Sequence, residues 1–381
     1  MNRRLTAFFY SIVLLVSLAA CGSASDAGEG KTNTDISTEL TWTGSMELVC
    51  AEEFSVDYYE DGYALIAISN GDQYLVIPEG RECPSDLKKE VVPILQPVSN
   101  VYLVASAAMD MFVALDRLDA IRFSALKADS WYINEARDAM EHGDILYAGK
   151  YSAPDYEQIV AGNCGLAIEN TMIYHTPEVK EQLEKFGIPV LVDYSSYETN
   201  PLGRTEWVKL YGLLTGREKE AEALFQEQVD AFAAVGEEEP SDKTVAFFYI
   251  TSNGQVNVRK SSDYLPKMID LAGGTYIFDH LGDKDDTASS TMSMQMEEFY
   301  ASAKDADYII YNSTIEGELN SVADLLAKSD LMKNFKAVQE GHVYCTTRNL
   351  YQSSMELGTI ISDIHNMLTE EGELTYIYKL E

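Results

Sequence analysis

The hydrophobic pattern near the start of the chain has the period of a β-sheet. Between Met46 and Pro78, the residues Phe54, Val56 and Tyr58 fall on one face at period two. The pair Asn70-Gly71 separates two apolar runs, as the two-residue turn of a β-hairpin does. We therefore predict a small antiparallel β-meander within residues 45–96.

After Pro97 the pattern changes to short apolar runs that alternate with helical stretches. The runs VYLVAS, IRFS, LAIENT and PVLVDY are apolar on both faces, and TVAFFYI, DYIIYNST and HVYCTTRN repeat this type beyond Pro240. Such strands, separated by helices, are typical of parallel sheets that bind ligands at the carboxyl ends of their strands. The pattern predicts an N-terminal α/β lobe at 97–198 and a C-terminal α/β lobe at 241–381.

A helical segment at 199–236 lies between the two predicted lobes. Phe225, Val229 and Phe232 follow the i, i+4, i+7 spacing of a helix packed on one side. About 30 helical residues would span roughly 45 Å, enough to connect two lobes. The predicted fold class is α/β, with two Rossmann-like lobes of parallel sheets joined by a long α-helix and preceded by the meander.

The first residues have the pattern of an export signal. Residues 1–20 combine Arg3 and Arg4 with the apolar run AFFYSIVLLVSLAA, and the following Cys21 completes a motif similar to a bacterial lipobox. We predict lipidation at Cys21, an extracytoplasmic location and a flexible tether at 21–44, which is rich in Gly, Ser, Thr and acids. The alternatives are ordinary cleavage near Ser23, or a retained span, which needs about 20 apolar residues.

The acidic net charge of the chain excludes some classes of binding partner. The chain carries 62 acidic and 28 basic residues, a formal net charge of -34. This excess repels phosphate backbones and anionic lipid headgroups, so we expect no nucleic acid and no membrane contact besides the lipid anchor. Solubility is the ordinary role of such charge. We expect a monomer.

The sequence shows no motif for catalysis or for a resident metal. The five histidines form no HExxH, and neither GxSxG nor GxxxxGK[ST] occurs, so we predict no enzyme and no cofactor. Cys50, Cys83, Cys164 and Cys345 lack CxxC spacing. Export would permit disulfides; Cys50 to Cys83 is the favoured pairing, and free buried thiols are the alternative.

Tyrosines and cations are placed in loops that follow predicted strands. Aromatic walls with a few cations suit a large, partly apolar, anionic ligand. Each of these side chains could equally be a plain surface residue, and the methionines of TMSMQM are more typical of core filling. The predicted cleft residues are Tyr151, Tyr197, Arg259, Lys260, Arg348 and Tyr351.

Several of these features together resemble one protein family. The lipobox, the acidic tether, the stretch GKYSAPDYEQI and the stretch YETNPLGRTEWVKLYGLLTGREKEAEALF are similar to iron-complex substrate-binding proteins of ABC importers. The resemblance covers roughly residues 98–368. At residues 163–165 the chain has Asn-Cys-Gly where the family usually has Pro-Asp.

The resemblance implies a function and a docking surface. Members of the family carry a siderophore, heme or corrinoid to a permease and its ATPase, and each lobe offers a glutamate to arginines of the permease. By position Glu157 matches the first glutamate, and Glu297 or Glu298 matches the second. Ordinary helix N-terminal acids are the alternative interpretation. A zinc or manganese receptor of the related fold, with His175 and His280 as ligands, is the alternative function.

Overall fold

The N-terminal region folds into a five-stranded sheet. The computed structural model describes residues 36–236, 240–282 and 290–381. The sheet has the order β1 to β5, antiparallel except that β4 and β5 are parallel, and Gly71 at the predicted hairpin turn has a φ of 95°. Its strands are β1 (Trp42–Ser45), β2 (Phe54–Tyr59), β3 (Ala64–Ile68), β4 (Gln73–Ile77) and β5 (Val91–Leu95).

The sheet begins earlier than the sequence pattern indicates. Ile36 and Leu40 are each 3% exposed and pack with Leu65 and Leu75. Residues 36–44, which we assigned to the tether, are therefore part of the folded N-terminal region. The predicted lipidation site Cys21 and the rest of the tether lie outside the described residues.

The first lobe is built on a parallel sheet, as predicted. Its order is β12-β11-β6-β7-β8, and four helices, α1 to α4, connect or flank the strands. The strands are β6 (Val101–Leu103), β7 (Ile121–Ser124), β8 (Leu146–Tyr147), β11 (Ala167–Asn170) and β12 (Val190–Asp193), with a small hairpin of β9 (Gly149–Lys150) and β10 (Ala153–Pro154). The helices are α1 (Ala108–Ala114), α2 (Asn134–His142), α3 (Tyr156–Ala161) and α4 (Pro177–Lys185).

Two helices connect the lobes, not one. Helix α5 (Pro201–Thr215) ends at Gly216, whose φ of 70° suits a left-handed cap, and α6 (Glu218–Gly236) follows. The helices are antiparallel, because Lys209 pairs with Glu222 at 3.0 Å and a Cβ on Gly212 would meet Ala221 at 2.4 Å. The prediction of one continuous helix of roughly 45 Å was wrong: the glycine cap reverses the chain.

The second lobe has a mixed sheet with a parallel centre. Its order is β16-β14-β13-β17-β18-β19, with β15 beside β13. The strands are β13 (Thr244–Ile250), β14 (Val256–Arg259), β15 (Thr275–Tyr276), β16 (Thr291–Met294), β17 (Tyr308–Tyr311), β18 (Val343–Thr346) and β19 (Ile377–Lys379). The helices are α7 (Tyr264–Leu271), α8 (Met296–Ala303), α9 (Ser313–Glu316), α10 (Val322–Lys328), α11 (Lys336–Glu340) and α12 (Leu357–Thr369).

The lobes share a three-strand unit. In the first lobe β11 lies between β6 and β12, and in the second β17 lies between β13 and β18, all parallel. Helix α3 precedes β11 as α8 precedes β17, so the local repeat of the sequence is a repeat of structure. In the described residues, no helix combines the length and hydrophobicity that a membrane span requires.

Candidate functional site

Exposed apolar side chains collect at the carboxyl ends of the parallel strands. Tyr147 ends β8, Met172 and Tyr174 follow β11, and Ile315 follows β17. They are 40% to 56% exposed and are four of the eight exposed large hydrophobic side chains in the described residues. Ligands of open α/β sheets bind at these strand ends, so we place the candidate cleft there. The sequence prediction missed all four, although each ends or closely follows an apolar strand run.

The lobes contact each other through the segment that follows β18. The amide of Gln352 donates to the Ser130 carbonyl at 2.9 Å, and its oxygen accepts from the Tyr132 N–H at 2.8 Å. The Met355 N–H donates to Asp110 at 2.8 Å, and burial raises the pKa of this carboxyl to about 6. These contacts join the two lobes.

Two predicted cleft residues, Arg259 and Tyr351, are brought together. The guanidinium of Arg259 lies 4.8 Å from the ring centroid of Tyr351 and also bonds Asp263 at 3.3 Å and Ser290 at 3.0 Å. Tyr351 accepts a hydrogen bond from Asn312 at 2.8 Å. Arg259 is only 9% exposed, so its guanidinium interacts mainly with these protein groups and little with solvent.

The predicted cations Arg348 and Lys260 have different surroundings. Arg348 is exposed, and its guanidinium lies 5.0 Å from the ring centroid of Tyr132, which belongs to the opposite lobe. Lys260 is 9% exposed, and a Cβ on Gly282 would meet its aliphatic stem at 2.9 Å. Arg348 is therefore better placed than Lys260 to meet an anionic ligand.

The predicted tyrosines of the first lobe also differ. Tyr197 lines a narrow gap of about 20 Å³ that Tyr264 and Ser290 of the second lobe face. Tyr151 is half-buried against the apolar cluster that contains Phe123 and Ile159. Tyr197 thus lies between the lobes, whereas Tyr151 packs largely against its own lobe.

The predicted docking acids occupy equivalent places. Glu157 lies in the first turn of α3, and Glu297 and Glu298 lie in the first turn of α8; all three are exposed. Ile159 and Phe299, two residues after Glu157 and Glu297, are both fully buried and orient the helices alike. An acid in a first helical turn is also favoured by the helix dipole, so this placement is compatible with either role.

The strands β11 and β17 carry different buried polar groups at equivalent positions. Asn170 and Asn312 each cap the turn after the strand through a side-chain oxygen. The preceding residues are Glu169 and Tyr311, and within the described residues neither carboxylate oxygen of Glu169 nor the Tyr311 hydroxyl has a hydrogen-bond partner. Burial raises the pKa of Glu169 to about 8, and burial also raises the pKa of Tyr311.

A larger cavity of about 580 Å³ lies outside the strand ends. It is lined by Val49 to Glu52, by Glu198 to Asn200 and, in the second lobe, by Ser261 to Asp263, Lys267 and Asp270. Its lining is mainly polar and contains none of the exposed apolar side chains at the strand ends. We therefore assign the candidate site to the strand ends and not to this cavity.

The cysteines and histidines do not form a site. Cys50, Cys83, Cys164 and Cys345 are all free, so the favoured Cys50 to Cys83 disulfide is absent. His175 and His280 are exposed, and no group of three potential metal ligands occurs in the described parts of the chain.

Comparison with known proteins agrees with a two-lobed ligand-binding protein. Residues 106–350 match the family described as periplasmic binding protein, and the chain belongs to this family. An uncharacterised lipoprotein of Methanocaldococcus jannaschii is 22% identical over 84% of this chain and 81% of the relative. A second lipoprotein of that organism is 23% identical over 87% and 86%.

Solved structures agree on the fold. A periplasmic binding protein of Veillonella parvula has a TM-score of 0.58 at 16% identity and covers 71% of this chain and 92% of its own. The periplasmic heme-binding protein HutB of Vibrio cholerae has a TM-score of 0.56 at 15% identity, with coverages of 68% and 96%. The siderophore-binding protein FhuD of Vibrio cholerae, bound to Fe3+-Desferal, has a TM-score of 0.52 at 13% identity, with coverages of 71% and 99%.

Apart from the single linking helix, these findings confirm the α/β fold class, and they confirm the family resemblance and the prediction of a binding protein rather than an enzyme. They also support an extracytoplasmic location, because the family is periplasmic by description and two relatives are lipoproteins. The cleft residues and the docking glutamates remain predictions.

Proposed function

We propose that the protein is the substrate-binding lipoprotein of an ABC importer and that its ligand is a ferric siderophore, a heme or a corrinoid. The observation that carries the proposal is the exposed apolar surface at the strand ends, together with the exposed guanidinium of Arg348, which follows β18 and lies over the Tyr132 ring of the other lobe. A large ligand with apolar faces and anionic groups would cover this surface. Structural neighbours that bind heme or Fe3+-Desferal support the ligand class.

Delivery to a permease and its ATPase would use the docking acids. Glu157 and Glu297 are exposed on equivalent helices, one in each lobe, so a two-fold partner could engage both. Charged pairs at such an interface fix orientation and speed association more than they add affinity. Lipidation at Cys21 and a monomeric state belong to the same proposal.

A ligand panel tests the proposal. Protein beginning after Cys21 is titrated with hemin, ferric desferrioxamine, ferric catecholate siderophores, cobalamin, zinc and manganese, and the melting temperature is followed. A ligand at 100 times its Kd adds about 2.7 kcal/mol to the bound state, so we expect a rise of several degrees with one iron complex or corrinoid. A rise with zinc or manganese alone would contradict the proposal.

The docking role has its own test. We expect the double variant Glu157→Ala with Glu297→Ala to lower uptake into cells at least tenfold while the Kd for the ligand stays unchanged. Glu178→Ala is the matched control, because Glu178 is an exposed acid in the first turn of α4. Loss of ligand affinity in the double variant would show that these acids belong to the cleft.

A further inference from the structure

Three tyrosine rings form a row along the rim of the first lobe. The ring centroids of Tyr174 and Tyr194 are 6.4 Å apart, and those of Tyr194 and Tyr197 are 5.2 Å apart. Tyr197 faces the second lobe, whereas Tyr174 is 44% exposed and lies beside the Asn70-Gly71 turn of the N-terminal sheet. The row therefore extends the candidate cleft toward the N-terminal sheet.

The hydroxyl of Tyr174 has its acceptor positions filled. It accepts a hydrogen bond from the Asn70 amide at 2.8 Å and another from the Tyr194 hydroxyl at 3.1 Å. A phenol oxygen also carries one proton to donate. No group in the described ranges accepts that proton, and because the residue is 44% exposed the proton is available to a ligand.

The Asn70 side chain is held in its orientation by the turn. Its oxygen accepts from the Asp72 N–H at 2.9 Å, and its amide also donates to the Asp72 carboxylate at 3.0 Å. The sheet is fixed to the lobe, because the buried hydroxyl of Tyr74 donates to the Val190 carbonyl at 2.9 Å. The turn thus determines how the Tyr174 hydroxyl points.

We infer that Tyr174 is a ligand-binding residue that donates a hydrogen bond to an oxygen of the ligand, and that Asn70 is its positioning residue. The ligand is one with an apolar face, which lies on the tyrosine row, and an oxygen acceptor at the edge of that face. This inference rests on the proposed function, and it gives the N-terminal sheet a part in ligand selection.

Affinity measurements on four variants test the inference. The probes are hemin, ferric desferrioxamine, a ferric catecholate siderophore and cobalamin, all of which carry oxygen acceptors, and the Kd is measured by calorimetry after each variant is shown to melt as the native protein does. For a probe that binds, Tyr174→Phe should weaken binding about tenfold, which corresponds to the loss of one hydrogen bond. Tyr63→Phe is the control, because its hydroxyl donates to the Glu82 carbonyl in the N-terminal sheet and should be neutral.

Asn70 is tested in two backgrounds. We expect Asn70→Ala to weaken binding about threefold in the native chain and to have no effect in the Tyr174→Phe chain, because Asn70 acts through the Tyr174 hydroxyl. An equal loss in both backgrounds would overturn the positioning role. Unchanged affinity in Tyr174→Phe would overturn the inference alone, whereas the absence of binding by every probe to the native chain would overturn the proposed function as well.

Discussion

The two lobes share a three-strand unit but differ in what surrounds it. At the position before the capping asparagine, the first lobe has Glu169 and the second has Tyr311, both buried. The first lobe is also attached to the N-terminal sheet, through Glu198 and Glu206 at and near the start of α5. The comparison shows that the same three-strand unit can contain a buried carboxyl group without a hydrogen-bond partner among the described residues in one lobe and a buried phenol in the other.

The largest expected effect concerns Glu169. Its pKa rises from an ordinary 4.5 to about 8 in the fold, so the unfolded chain loses this proton first, and stability should fall as pH rises from about 4.5 to 8. Glutamine cannot ionise. We therefore expect Glu169→Gln to be more stable than the native protein by on the order of 4 kcal/mol at pH 9 and nearly equal at pH 4.5.

Chemical unfolding at pH 4.5, 7 and 9 measures this difference. Tyr311→Phe is the matched control in the other lobe, and it should change stability by less than about 1 kcal/mol because the hydroxyl it removes is unpaired. That small change should be the same at every pH. Parallel pH profiles for Glu169→Gln and the native protein would show that Glu169 is ionised in the fold.

The second prediction concerns the attachment of the N-terminal sheet. The buried carboxylate of Glu206 accepts the N–H groups of Val49, Cys50 and Ala51 at 2.7 to 3.0 Å and pairs with Lys209 at 3.2 Å. Glu206→Ala leaves these donors and the cation without that acceptor, so we expect a loss of about 3 kcal/mol.

Hydrogen exchange locates that loss. In Glu206→Ala the amides of β2 and β3 should exchange faster while those of β17 stay protected. Glu222→Ala, which removes the exposed partner of Lys209, should cost less than about 0.5 kcal/mol. Faster exchange in both lobes would mean that the sheet and the lobes unfold as one unit.

The smallest expected effect is at the contact between the lobes. Gln352→Ala removes both hydrogen bonds to the Ser130 and Tyr132 backbone, so we expect about 1 kcal/mol of destabilisation and a larger radius of gyration in X-ray scattering. Gln339→Ala, at an exposed position of the same lobe, is the control. An unchanged radius would show that the other contacts suffice to hold the lobes.

Sequence periodicity predicted the fold better than it predicted the site. Apolar strands and the Asn70-Gly71 turn depend on neighbouring residues, and both are present as predicted. The reversal at Gly216 also had a local signal, because this glycine precedes the charged run that opens α6. Our prediction followed the length of the helical pattern instead and placed one continuous helix there.

The polar contacts between distant parts of the chain had no local signal. Glu206 meets Val49 across 157 positions of sequence, and Gln352 meets Tyr132 across 220. Arg259 was predicted as a cleft cation, yet its guanidinium pairs with Asp263 and donates to the hydroxyl of Ser290, which is 31 residues away. Tyr174 was overlooked because its environment depends on Asn70, which belongs to a different sheet.

The attachment of the N-terminal sheet has a consequence for synthesis. Residues 36–95 leave the ribosome before either lobe and can pair among themselves, but the carboxylates that hold the loop at 49–53 are about 150 residues further along the chain. Until α5 has been made, the apolar face of β2 and β3 lacks its cover, including Trp207, whose ring meets Phe54 at 5.0 Å. This apolar face therefore stays uncovered, and favours aggregation of the nascent chain, until more than half of the chain has been translated.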